Sequence, residues 1–71
     1  MSISYKKLWK LLIDKDMTKT QLREKADIAT STLAKLSKDE QVSMDVLLRI
    51  CKTLDCDIAD IMELTKESKN V

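Results

Sequence analysis

The residues able to do chemistry in this 71-residue chain are few in kind. Histidine is absent, and the two cysteines, Cys51 and Cys56, stand outside the CxxC spacing of a redox pair and have no partners to complete a metal set. Both thiols are therefore expected to be ordinary buried or half-buried side chains. No nucleophile–base pair is visible, and a chain without glycine cannot form a phosphate-cradling loop. A bundle this small also leaves little room for a substrate pocket. Neither catalysis nor a cofactor is expected. What remains is a group of hydroxyls and lysines within one stretch, TKTQLREKADIATSTLAKL, from Thr18 to Leu36. Such groups recognise a partner by hydrogen bonding and charge.

The elements that must position these groups are helices. Proline and glycine are both absent and the only aromatics are Tyr5 and Trp9, so a sandwich or barrel lacks its turn residues and its alternation. Tyr5, Leu8, Trp9, Leu12 and Ile13 recur at three- and four-residue steps and predict an amphipathic first helix from about Ser4 to Lys15. Thr18 opens a second helix, with Gln21 completing a capping box and Leu22 and Ala26 facing inward. Leu33 and Leu36 hold a third helix to the core, and the polar loop SKDEQ follows it. Ser43 caps a fourth, in which Leu47, Ile50, Cys51 and Leu54 share one face. Asp57 caps a short fifth, with Ile58, Ile61 and Met62 inward.

Periodicity alone does not break the stretch from Thr18 to Leu36, because Leu33 and Leu36 lie close to the face of Leu22 and Ala26 if one helix continues. The break is argued from side-chain chemistry. Asp27 is one of the few residues besides glycine that tolerate the left-handed backbone needed past a helix end. Thr30, Ser31 and Thr32 favour a helix start over a helix interior, since short hydroxyl side chains compete for backbone groups. Two helices joined by a tight turn is the local unit that many DNA-binding proteins place in the major groove.

Charge is uneven along the chain. Residues 1–38 carry nine Lys/Arg against four acids, a balance of +5, and residues 39–71 carry four against eight, a balance of −4. The formal net charge of +1 hides this asymmetry, which is what a charged partner would meet. There is no run long enough for a membrane span and no signal peptide, so a cytoplasmic location is expected.

Five short helices in this order, with MTKTQLREKADIATSTLAKL for the second and third and VLLRICKTLDCDIADIMEL for the closing pair, resemble the phage-repressor-like helix-turn-helix family of the XRE or Cro/cI type. The resemblance covers about Tyr5 to Leu64. It implies an all-α, compact five-helix domain over residues 1–64, followed by a polar tail over 65–71. The chain departs from the family at Asp27, where glycine is common, and at Lys19, where glutamine is common. The first departure costs turn stability, and the second exchanges an amide for a cation.

The resemblance also implies site residues. The start of the third helix would point into the groove, putting Thr30 and Ser31 at base edges with Lys35 one turn beyond Ser31. Lys35 can donate to guanine O6 or N7, and the hydroxyls can serve several bases. On local grounds Thr30 and Ser31 are equally readable as helix caps. Thr18, Lys19, Thr32 and Lys38 are expected at phosphates, although any single lysine is as readily a solvated surface charge. Trp9 is expected in the core. The implied function is a sequence-specific double-stranded-DNA-binding transcriptional regulator, specifically a repressor. A homodimer is expected on a two-fold-symmetric site, because one short domain makes few base contacts, and Ile58, Met62 and Leu64 are the expected dimer contact. The competing reading is a protein-interaction module, or the antitoxin half of a toxin–antitoxin pair, with a protein partner at the acidic end.

Overall fold

A computed structural model describes residues 2–65. Its elements are β1 (Ser2–Ser4), α1 (Lys6–Asp14), α2 (Lys19–Ala26), α3 (Thr30–Ser37), α4 (Met44–Leu54), a 3₁₀ turn (Ile58–Asp60) and β2 (Glu63–Thr65). No helix among the described residues is long and apolar enough to cross a membrane.

The expected five-helix count is corrected, among the described residues, to four α-helices, one 3₁₀ turn and a two-stranded sheet. Asp57 does cap as expected: its side chain accepts from the Ile58 amide, and Asp60 reaches back to the Asp57 amide. The turn it opens is only three residues long, and Ile61 drops into the core directly behind it. The sheet pairs β1 with β2 antiparallel, with Ser2 opposite Thr65, Ile3 opposite Leu64 and Ser4 opposite Glu63. Ser4 therefore belongs to a strand and not to the first helix, and Thr65 to a strand and not to the tail. The rest of the expected tail, 66–71, lies outside the described residues.

One core joins the four helices. Leu8 and Leu12 of α1, Leu22 and Ala26 of α2, Leu36 of α3, and Leu47, Ile50, Cys51 and Leu54 of α4 meet Tyr5, Ile28 and Ile61. No charged side chain is buried among the described residues, so this core forms without desolvating a charge. Ile13, expected on the inward face of α1, is 76% exposed instead. Each residue turns the helix by about 100°, which carries position 13 past the edge of a face centred on Leu8 and Leu12. Trp9 is half-buried against the core. Leu36 alone anchors α3 fully, with Leu33 half-buried.

The four helices end in the same way. Asp16, Asp27, Asp39 and Asp55 all have φ between 53° and 57°, and each stands immediately past a helix or one residue beyond its cap. The next amide then reaches back to the carbonyl five residues earlier: Met17 to Leu12, Ile28 to Arg23, Glu40 to Lys35 and Cys56 to Cys51. This is the Schellman ending, in which glycine usually supplies the left-handed residue. In a chain with no glycine, aspartate takes that place. The motif also brings side chains at its two flanking positions together, which accounts for Cys51 and Cys56 lying against each other as free thiols.

Candidate nucleic-acid interface

The geometry of the hydroxyl and lysine groups begins at the start of α2. Thr18 is in an extended conformation; its hydroxyl accepts from the Gln21 amide at 3.1 Å, and the Gln21 side chain accepts from the Thr18 amide at 2.9 Å. Both orphan donors are satisfied by the reciprocal capping box the sequence predicts. Lys19, the first residue inside the helix, lays its ammonium 4.3 Å from the centroid of the Trp9 ring. Such a cation–π contact holds a long side chain in one place on an otherwise mobile surface. Trp9, Leu12, Ile13, Met17, Thr18 and Lys19 line a 260 Å³ notch here.

At the other end of α2, Asp27 takes φ 57° and ψ 51°. The chain breaks between two helices where the sequence predicts it. Ile28 plugs into the core just past the break, and Arg49 Nη1 of α4 donates to the Asp27 carbonyl at 2.9 Å. The turn is thus held both by burial and from α4. Arg49 is itself braced by Asp45 one turn earlier, Nε to Oδ2 at 3.0 Å.

The N-cap of α3 is Ala29, in extended conformation and with no side-chain capping bond. The capping alternative for Thr30 and Ser31 therefore fails. Thr30 and Ser31 are exposed and Thr32 is half-buried; their hydroxyls make no hydrogen bond among the described residues. Ala34, Lys35 and Lys38 continue the exposed face toward the helix end. Ion pairs among the described residues are Lys7 with Glu63, Arg23 with Glu24, and Arg49 with Asp45. Lys19, Lys35 and Lys38 are not in that set. The outer face of α3 therefore offers donors that no other described group uses.

The thiols offer little nucleophilicity. Burial pushes Cys56 up to about 11, with Cys51 adding to the rise, and burial raises Cys51 as well, against a lowering hydrogen bond from Cys56. No cluster of three or more His, Cys, Asp or Glu that could hold a metal exists among the described residues.

A helix-turn-helix of this geometry can be compared with known domains. The family model of the Cro/C1-type HTH DNA-binding domain matches residues 7–67. The chain belongs to that family. A solved structure of the transcriptional regulator VanUg, in crystal form II, is similar at a TM-score of 0.90 and 56% sequence identity, over 93% of this chain and 88% of that one. No curated protein matches. Here the capping box fixes the start of α2, and the Asp27 turn with the buried Ile28 joins α2 to α3.

Of the dimer residues expected from sequence, Ile58 and Met62 are half-buried against the core, while Leu64 on β2 is 62% exposed. Two features were not expected. One is the perch of Lys19 on Trp9. The other is Tyr5, buried at the start of α1, whose contacts reach the loop after α3.

Proposed function

We propose that the protein is a sequence-specific double-stranded-DNA-binding transcriptional repressor that reads the major groove with α3. Thr30, Ser31 and Lys35 are the base readers, and Thr18, Lys19, Thr32 and Lys38 contact phosphates. The observation that carries this reading is the uncapped start of α3, where the Thr30 and Ser31 hydroxyls and the Lys35 ammonium stand exposed and unspent on a helix fixed at its turn. Membership of a DNA-binding family supports it, as does likeness to a transcriptional regulator. The functional unit is a homodimer on half-sites about one helical turn apart. Leu64 is the most accessible of its contact residues and Ile58 and Met62 lie behind it in the chain; light scattering that finds only monomer, free and on selected DNA, refutes the dimer.

The test is selection of bound duplexes from a random pool, followed by four variants at fixed salt. Lys19→Ala and Lys38→Ala are expected to weaken binding to selected and random duplexes alike and to lower the salt slope by about one unit each. Ser31→Ala and Lys35→Ala are expected to cost about 1–3 kcal/mol on the selected site, with Ser31→Ala having less effect on random DNA. If Ser31 and Lys35 replacements leave the preferred sequence unchanged in a normally folded protein, α3 is not the reader. The interaction-module reading, which the exposed Met44 and Leu48 one turn apart on α4 favour, then takes its place.

A further inference from the structure

Tyr5 is the residue before α1, yet both ends of it serve the segment after α3. Its backbone N–H donates to Asp39 Oδ1 at 3.0 Å, and its phenol hydroxyl donates to the Glu40 carbonyl at 2.9 Å, 34 and 35 residues away in sequence. The ring between these two bonds is only 1% exposed and packs among core residues. Apart from Tyr5, the backbone hydrogen bonds of residues 38–40 run back into α3 itself: Lys38 to Ala34 and Lys35, Asp39 to Leu36, and Glu40 to Lys35. Those bonds close the helix but do not attach it to the rest of the fold. Asp27, Ile28 and Arg49 hold the start of α3, the buried Leu36 packs its last turn, and Tyr5 supplies the hydrogen bonds that tie the corner beyond it.

We propose that Tyr5 is a positioning residue for DNA binding, clamping the Asp39–Glu40 corner so that the adjacent Lys38 is presented at a fixed place to a DNA phosphate. This rests on the reading of Lys38 as a phosphate contact. A lysine on a free corner would spend part of its attraction on ordering that corner at binding, and the clamp removes the cost in advance. The side chain of Asp39 takes part in the clamp while its backbone makes the left-handed turn, so one residue both ends the helix and anchors the end.

The experiment measures affinity and salt slope on a random-sequence duplex and on the selected duplex for the full chain and for Tyr5→Phe, Asp39→Gly, Asp39→Asn, Lys38→Ala and the Tyr5→Phe/Lys38→Ala double variant. Tyr5→Phe keeps the buried ring and loses only the Glu40 bond. Asp39→Gly keeps the left-handed turn and loses the carboxylate acceptor together with its negative charge; read against Asp39→Asn, it carries the test if Tyr5→Phe does not fold. Asp39→Asn loses the same charge but retains an oxygen acceptor, so it is the reference against which Asp39→Gly is read. Tyr5→Phe relative to the parent, and Asp39→Gly relative to Asp39→Asn, are each expected to lose about 3- to 10-fold on both duplexes with base preference unchanged, and their salt slopes to move toward that of Lys38→Ala. In the Lys38→Ala background the Tyr5→Phe loss should largely vanish, because the two act through one contact. If Lys38→Ala weakens binding but the Tyr5→Phe loss adds to it in full with an unchanged slope, the clamp is merely structural and the proposal is wrong. If Lys38→Ala itself changes nothing, the phosphate role of Lys38 has failed, and the proposal falls with it.

Discussion

Replacing Asp27 tests the hinge of the fold directly. At φ 57° and ψ 51° the residue lies in the left-handed region, which costs an L-residue roughly 1–2 kcal/mol, less for aspartate than for most. Its carboxylate is exposed and makes no hydrogen bond or ion pair among the described residues, so a substitution removes no side-chain contact. The Arg49 bond goes to the main-chain carbonyl and survives any replacement. Glycine relieves the backbone cost but frees the unfolded chain by roughly 0.4–1 kcal/mol, so Asp27→Gly should change stability by between about zero and +1 kcal/mol. Asp27→Ala keeps a Cβ without the short polar group that tolerates this conformation, and should lose about 1 kcal/mol. Urea melts followed by circular dichroism measure both, and each kcal/mol corresponds to roughly 4–8 °C in Tm for a domain of this size. A glycine variant that loses more than about 1 kcal/mol, or an alanine variant as stable as the parent, would refute the assignment of backbone strain to this turn.

Three further outcomes follow from the core, the titrating groups and the tryptophan. Leu36, fully buried and the main anchor of α3, should cost about 2–5 kcal/mol on truncation to alanine, close to the whole stability of so small a core, and a thermal melt moved by only a few degrees would contradict this. Burial raises the Tyr5 hydroxyl above its usual 10.0, with the Asp39 charge adding to it, and lifts the Cys56 thiol to about 11. The folded chain then holds protons that the unfolded chain releases, so these groups' stability is complete below their unfolded values and is lost as pH rises, between about 9 and 11 for Cys56 and above 10.0 for Tyr5. Urea midpoints should fall as pH rises from about 9, less steeply between about 9 and 11 in Cys56→Ala and above 10.0 in Tyr5→Phe; a flat profile in the parent argues against it. Trp9 is the single tryptophan, and Lys19 sits on it. Its emission should shift in Lys19→Ala with a stability loss of no more than about 1 kcal/mol, and should also shift when DNA binds the parent but not when it binds that variant.

Local chemistry was legible in the sequence wherever it acts over three or four residues. Thr18 with Gln21, Ser43 before α4, and Asp57 with the amide it caps all sit where side-chain type alone puts them. Asp27 could be singled out because a helix had to stop there without glycine. Asp16, Asp39 and Asp55 do the same work, but each follows a run that a polar loop ends in any case, so they read as surface acids. The sheet was not legible because three residues give no alternation to count. Ile13 was misplaced because a nine-residue helix offers too few turns to define the centre of its face. The Tyr5 clamp joins residues more than thirty positions apart, and no local pattern announces such a pair. For the interface, the exposed face of α3 was legible from Leu33 and Leu36, whereas the resting place of Lys19 depends on how α1 meets α2.

The β1–β2 pairing bears on the order in which the molecule assembles. Joining Ser2 to Thr65 closes a loop through nearly the whole chain, the most demanding closure in the fold, and rewards it with only a three-residue ladder. The helices and their local endings need no such closure. The ladder is therefore the last element to form and the first to open. Truncating Ile3 should accelerate unfolding and leave the folding rate nearly unchanged, whereas truncating Leu22 or Leu36 should slow folding. Amides in the ladder should exchange with solvent well before those in the middle of α4, with the helix-turn-helix still intact.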